Sequence, residues 1–240
     1  MPRFFCPQPL AVGITVDLPD PVAHHIHVLR LQPGDPLTLF NGEGGEYRAQ
    51  LAASDKRRAT AMVTEHLPRE VELPFQLALA QALPEGAKMD WIIEKAIEMG
   101  VGAIQPLSAQ RCVVRLSGER AEKRHAHWQG VIQAASEQSG RNRLAALAPL
   151  CSIHDWLARP AQGVRVLLSP RGGQSLSTWA RSQPACAVTL MIGPEGGFTA
   201  QEEDAAIAQG ALALTMGERI LRTETAGIAA AAILAAHWSE

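Results

Sequence analysis

A chain of 240 residues, 47% of them hydrophobic, has material for one large domain or two modest ones with a sizeable core. The apolar stretch Ala226–Trp238 is far below the roughly 20 residues that span a bilayer, and the N-terminus lacks the layout of a secretory signal. Four scattered cysteines (Cys6, Cys112, Cys151, Cys186), with no C-x-x-C pair, argue against a disulfide framework or a zinc site and suit a reducing cytoplasm. The net charge of −2 does not suggest a polyanionic partner, but its distribution is uneven. Residues 111–143 carry seven Lys/Arg against three Asp/Glu. Such a window is either a solvated helix face or a phosphate-facing patch, and charge alone favours the first.

In chain order, residues 1–70 predict a small β-rich domain. Short extended runs at Ile14–Val16, Pro36–Phe40, Tyr47–Ala52 and Ala59–Val63 are separated by turn signals such as Gln32-Pro33-Gly34-Asp35 and Asn41-Gly42-Glu43-Gly44-Gly45. One helix interrupts them, with Asp20 as N-cap, Pro21 at its first position and an end near Arg30. Strands closing around a helix predict a compact barrel, and residues 68–74 read as a linker. His24, His25 and His27 point in different directions on this helix, which makes them surface residues rather than metal ligands.

From residue 75 to 240 the pattern alternates strand and helix. Strands are predicted at Phe75–Ala82, Ala103–Leu107, Val164–Ser169, Val188–Ile192 and Ala211–Thr215. Helices are predicted around Met89–Ile97 with Gly100 at its end, over Ser117–Ser139 with Gly140 at its end, from near Ser175, from Thr199, and over Glu224–Trp238. Thr199-Ala200-Gln201-Glu202 has capping-box spacing. The alternation implies an α/β domain with a mostly parallel sheet.

Two segments hold the chemistry. Gly193-Pro194-Glu195-Gly196-Gly197-Phe198 follows one strand, and Met216-Gly217-Glu218-Arg219-Ile220-Leu221-Arg222-Thr223-Glu224-Thr225 follows the next. Strand ends of a parallel sheet converge on one edge, and glycines there expose main chain to a ligand. The chain has no G-x-x-x-x-G-K-[ST] loop, no G-x-G-x-x-G after a strand and no G-x-S-x-G elbow, so a cradle for a triphosphate or a nucleophilic serine is not expected.

The two loops together resemble those of the SPOUT methyltransferases, and within them the RsmE-type enzymes that methylate N3 of a uridine in small-subunit ribosomal RNA. The likeness extends through Arg3-Phe4-Phe5, His27-Val28-Leu29-Arg30 with Gly34-Asp35, Trp91-Ile92-Ile93-Glu94-Lys95-Ala96, Glu98-Met99-Gly100-Val101 and Glu137-Gln138-Ser139-Gly140-Arg141. It implies an N-terminal PUA-like β-barrel for RNA and a C-terminal SPOUT domain with a parallel sheet and a deep trefoil knot. It also implies a homodimer acting on small-subunit rRNA, within the assembled small ribosomal subunit, with S-adenosylmethionine as cofactor. Carried over, Leu168, Ile192, Gly193, Gly197, Met216, Gly217, Ile220, Leu221 and Thr225 surround that cofactor. Ser169-Pro170 departs from the usual acidic residue before Pro, Gln110 from the usual Glu before Arg111, and Met216 from a common Leu.

Methyl transfer to uridine N3 needs its proton removed. Arg222 is the candidate for neutralising charge on the base or its phosphate, and Glu137 or Glu224 for the general base. Both carboxylates have structural alternatives, Glu224 in the helix dipole and Glu137 in an i,i+4 pair with Arg141. Arg3, Arg30, Arg111, Arg115 and Arg141 are candidate phosphate contacts. Two other readings compete: a related enzyme that methylates a ribose 2′-hydroxyl, and a non-catalytic RNA-binding assembly factor.

Overall fold

The structure, a computed structural model, describes residues 1–239. The chain divides into two compact units: Met1–Glu72 together with Ser136–Leu144, and the remainder of the described chain.

The first unit contains β1 (Arg3–Phe5), β2 (Thr15–Asp17), α1 (Asp20–Val28), β3 (Pro36–Phe40), β4 (Glu46–Ser54) and β5 (Ala59–Leu67). They form a five-stranded sheet in the order β1-β3-β4-β5-β2, with only β1 and β3 parallel. Period-two alternation turns Ala49 and Leu51 of β4 and Ala61 and Val63 of β5 inward, where they meet Phe4, Leu37, Leu39 and Ile26 of α1 in one core. Two register irregularities between β4 and β5 add twist to the longest pairing. The helix starts one residue earlier than the sequence suggests. Pro19 occupies the cap position without a side-chain cap, and Asp20 lies in the first turn, where its charge favours the helix dipole. His24, His25 and His27 are exposed.

This unit also holds three of the sequence-predicted arginines, and the structure changes the reading of two. Arg141 is buried and ion-paired with Glu72, so its guanidinium is not available to phosphate. Arg3 pairs with Glu46 and donates to the Asn142 side chain at 2.7 Å and the Arg141 carbonyl at 3.2 Å. Only Arg30 is exposed, at a backbone φ of 57°. Removing one partner of a buried ion pair leaves an uncompensated charge. Arg141→Met is therefore expected to destabilise the protein by about 3 kcal/mol, the low end of the usual range because Glu72 keeps some solvent. Denaturant titration against Arg30→Gln, expected to be near neutral, checks this.

The second unit follows with β6 (Leu77–Ala82), α2 (Lys88–Glu98), β7 (Ala103–Ser108), α3 (Gly118–Ser139), β8 (Ala146–Leu147), β9 (Cys151–Ser152) and α4 (Ile153–Leu157). It continues with β10 (Val164–Leu168), β11 (Gln174–Ser175), α5 (Leu176–Ser182), β12 (Val188–Ile192), α6 (Ala200–Ala208), β13 (Leu212–Thr215) and α7 (Thr223–Trp238). The last turn of α3 groups with the first unit. The strands run β11-β13-β10-β12-β6-β7-β8, with β9 also on β7, and every pairing is parallel. Apolar runs such as Leu190-Met191-Ile192 are buried, as expected for a parallel sheet covered by helices. α7 packs on α2, α5 and β12, and Gly227 lets it approach closely: a Cβ there would stand 3.1 Å from Leu79.

The sequence suggests that the two glycine loops leave neighbouring strands. They do not. β10 is inserted between β12 and β13, so the crossover through α6 passes over one strand. The consequence is a third loop, after β10, between the other two.

Candidate functional site

The loops after β10, β12 and β13 leave the carboxyl ends of three consecutive strands, the edge where parallel α/β sheets bind ligands. They enclose a cavity of about 660 Å³ that adjoins a smaller one of about 240 Å³, with Leu168, Ser169, Pro170, Ile220, Leu221 and Ala226 in both walls. The first wall contains Ile192, Gly193 and Gly197, and the second Met216 and Gly217. All the cofactor candidates named from sequence thus line one or both cavities except Thr225, whose backbone N–H instead bonds the Arg222 carbonyl in the first turn of α7.

The glycines have different reasons. A Cβ on Gly193 would stand 2.8 Å from the Phe198 nitrogen and 2.9 Å from the Gly197 carbonyl carbon, so Gly193 lets the loop fold on itself. Gly197 (φ 68°) and Gly217 (φ 98°) take the left-handed region, and no protein atom lies within 4 Å of a Cβ built there. They leave main chain uncovered on the cavity walls. Beyond the first loop, Thr199 caps α6 in a full capping box: its hydroxyl accepts from the Glu202 N–H, and Glu202 accepts from the Thr199 N–H at 2.8 Å.

Side chains tie the loops together. Thr223 donates to the Gly193 carbonyl at 2.6 Å and accepts from the Gln81 amide at 2.9 Å, so the ends of β6 and β12 and the start of α7 share one chain of hydrogen bonds. Lys88, at the start of α2, pairs with Glu195 at 2.6 Å and stands 3.9 Å from Glu224. Glu195 also accepts the Glu85 backbone N–H at 3.0 Å. Burial pushes the Glu195 carboxyl up, but the hydrogen bonds from Lys88 and from backbone N–H groups outweigh it and leave it below its usual value. Lys88 is raised, chiefly by its hydrogen bond to Glu195, so the pair is ionised at neutral pH.

Arg222 and Glu224 both line the larger cavity. Arg222 is exposed and, among the described residues, has no ion-pair partner. One carboxylate oxygen of Glu224, Oε2, is buried without a hydrogen bond. Glu137 is not part of these walls; its Oε1 accepts the Phe5 backbone N–H at 2.9 Å within the first unit. Arg111 lines the larger cavity but is committed to the carbonyls of Gly196 and Phe198, at 2.7 and 3.3 Å. Arg115 spans its own loop to the carbonyls of Ala109 and Gln110.

Ser169 stands where a carboxylate was expected, and the structure supplies one beside it. Its hydroxyl donates to Glu203 at 3.1 Å, and Glu203, almost buried, lines the same cavity and also pairs with Arg171. Gln110 contributes through its backbone N–H, which donates to Glu202 at 2.8 Å. Glu195 and Thr223 lie in the two loops that the sequence marks but receive no role from it, and Lys88 and Glu203 carry no signal there, because their partners are brought together only by the fold.

Comparison with known proteins agrees with this geometry. A family model described as an RNA methyltransferase domain matches residues 71–235, and one described as an RNA methyltransferase PUA domain matches 18–63. Ribosomal RNA small subunit methyltransferase E of Bacillus subtilis is 32% identical over 212 residues, covering 85% of this chain and 83% of the relative. The protein of that name from Synechocystis is 35% identical, covering 90% and 71%. The structure of ribosomal RNA small subunit methyltransferase E from Neisseria gonorrhoeae bound to S-adenosylmethionine superposes with a TM-score of 0.92 at 40% identity, over 99% of this chain and 98% of that one. A Legionella pneumophila protein solved with the same cofactor gives 0.94 at 32% identity, with coverage of 99% and 98%. With the parallel sheet, the three-loop cavity and these matches along both units, the chain belongs to the ribosomal RNA small subunit methyltransferase E family.

Proposed function

We propose that this protein transfers a methyl group from S-adenosylmethionine to N3 of a specific uridine in small-subunit rRNA. The observation that supports it most is the paired cavity walled by main chain at Gly193, Gly197 and Gly217, in a chain 40% identical to a relative solved with that cofactor. The cavities suit such a molecule. Uncovered peptide groups match the edge of an adenine, apolar Leu168, Ile192 and Leu221 match its faces, and Glu203 offers a carboxylate to a cationic ligand.

S-adenosylmethionine, when bound, supplies a methyl group already activated on a sulfonium, so positioning and proton handling fall to the chain. Arg222 stands at the cavity without a competing carboxylate, placed to neutralise charge that develops on the uracil ring or to hold its phosphate. Glu224, which lines the cavity, accepts the N3 proton, while Lys88, 3.9 Å from its buried Oε2, holds the carboxylate in place. Thr223 and Gln81 fix the start of α7 from which both residues project.

The reading extends to a cytoplasmic homodimer acting on the assembled small subunit, with the first unit as an RNA-binding module. It includes a trefoil knot: the last crossover passes over β10, and the segment before α7 shares a cavity wall with the loop after β10. Knots are rare, and no periodicity in the sequence reports one.

Glu224→Gln tests the proton acceptor. Methyl transfer to small subunits isolated from cells lacking the enzyme is expected to fall by about 10²-fold, with unchanged S-adenosylmethionine affinity by calorimetry. Near-normal turnover would remove Glu224 from this role.

A further inference from the structure

A separate cavity, of about 610 Å³, lies in the methyltransferase unit between the β6–α2 loop, the β7–α3 loop and the first turns of α3. Its floor is apolar, with Leu83, Met89 and Leu116. Its rim carries Arg115, Arg120, Lys123 and Arg124, against one carboxylate, Asp90. That carboxylate is already engaged: one oxygen accepts the Trp128 indole N–H at 3.0 Å and the other bonds His127 at 2.7 Å. Lys123 shares an exposed pair with Glu119. Arg120 and Arg124, one helical turn apart on α3, are exposed and have no ion-pair partner among the described residues. The free charge of the cavity is therefore positive. The N-terminal end of the 22-residue α3 adds its dipole in the same sense.

The position is as informative as the charge. The two loops that wall this cavity also reach the methyl-transfer cavity. The β6–α2 segment places Met89 in one and Lys88 in the other, and the β7–α3 loop places Arg115 in one and Arg111 in the other. Attack by N3 needs that edge of the uridine unpaired, and a single-stranded segment presents it so, with its flanking phosphates exposed. The basic rim and the methyl-transfer cavity are thus walled by the same two segments of chain.

We propose that this cavity is the binding site for phosphates of the RNA strand flanking the target nucleotide, with Arg120 and Arg124 as its principal contacts. The inference rests on the RNA-methylating function proposed above. It replaces Arg141 and Arg111, which the structure commits to internal partners, with two arginines that it leaves unpaired.

The double variant R120Q/R124Q tests it, since glutamine keeps helix propensity and polarity while removing both charges. Binding to small subunits from cells lacking the enzyme is measured across a KCl series, with R159Q/R181Q as a control for equal charge loss on exposed arginines outside both cavities. Each phosphate contact to a single strand contributes about 0.7 to the slope of log K against log salt, so the slope is expected to flatten by about 1.4. The dissociation constant at low salt is expected to rise at least about tenfold, and unchanged S-adenosylmethionine affinity would report an intact fold. A wild-type slope in R120Q/R124Q, or an equal flattening in the control, overturns the site. A change of oligomeric state on sedimentation overturns it in favour of a protein interface. If the wild type methylates subunits while the slope stays unchanged, the inference alone fails. If the wild type neither binds nor methylates them, the proposed function fails with it.

Discussion

Arg222→Ser is expected to slow methyl transfer by about 10²- to 10³-fold, the usual cost of removing one preorganised charge-stabilising group, while leaving the cofactor's affinity within a few-fold. The same change should make the protein slightly more stable. Arg222 occupies the N-cap position of α7 with an extended backbone and no side-chain cap. An arginine is poorly suited to that position: it accepts nothing from the free N–H groups, and its charge opposes the positive end of the helix dipole. Serine would cap the helix and raise stability by about 1 kcal/mol. A residue that costs the fold something and yet stands unpaired at a cavity is best accounted for by the chemistry there. Loss of activity with a gain in melting temperature is the expected signature. Activity lost together with stability would assign Arg222 a structural role instead, and activity retained would remove it from the mechanism.

Gly193→Ala carries the second large effect, of the opposite kind. The added methyl would meet the backbone of Gly197 and Phe198 at under 3 Å, and backbone cannot swing aside as a side-chain tip does. The loop must open, at a cost of about 1–3 kcal/mol, and the peptide groups of Gly197 move with it. S-adenosylmethionine binding is expected to weaken by at least about tenfold, read by calorimetry, with the first unit unchanged by local probes. Wild-type affinity would show that the loop's folded shape is not what holds the cofactor.

Much of the second unit was legible because each buried strand is a short apolar run with a glycine or a cap beside it. Val188–Ile192 and the Thr199 capping box are as the residues suggest. The three-residue β1 and the two-residue β8, β9 and β11 have no periodicity to read, and tertiary pairing alone makes them strands. Strand order was also hidden. Nothing local to Val164–Leu168 says that it lies between β12 and β13, so the Ser169–Glu203 contact was out of reach. The glycines and Arg222 were legible because glycines at strand ends uncover main chain and an arginine in such a loop can meet ligand charge; the left-handed backbone and the helix cap position emerged only from the structure. Lys88 and Glu195, more than a hundred residues apart, look like ordinary surface charges until the fold joins them. The arginines show the converse error. Arg141 lies in a basic window and counts as a phosphate ligand on charge alone, yet it is buried against Glu72.

The central claim, methylation of uridine N3 in small-subunit rRNA, is tested most directly by nucleoside mass spectrometry of small-subunit rRNA from cells lacking this protein, before and after incubation with the purified enzyme and S-adenosylmethionine. The account predicts that one N3-methyluridine is missing and is restored by the wild type but not by Arg222→Ser. An unchanged N3-methyluridine content, or a 2′-O-methyl nucleoside lost in its place, would contradict it.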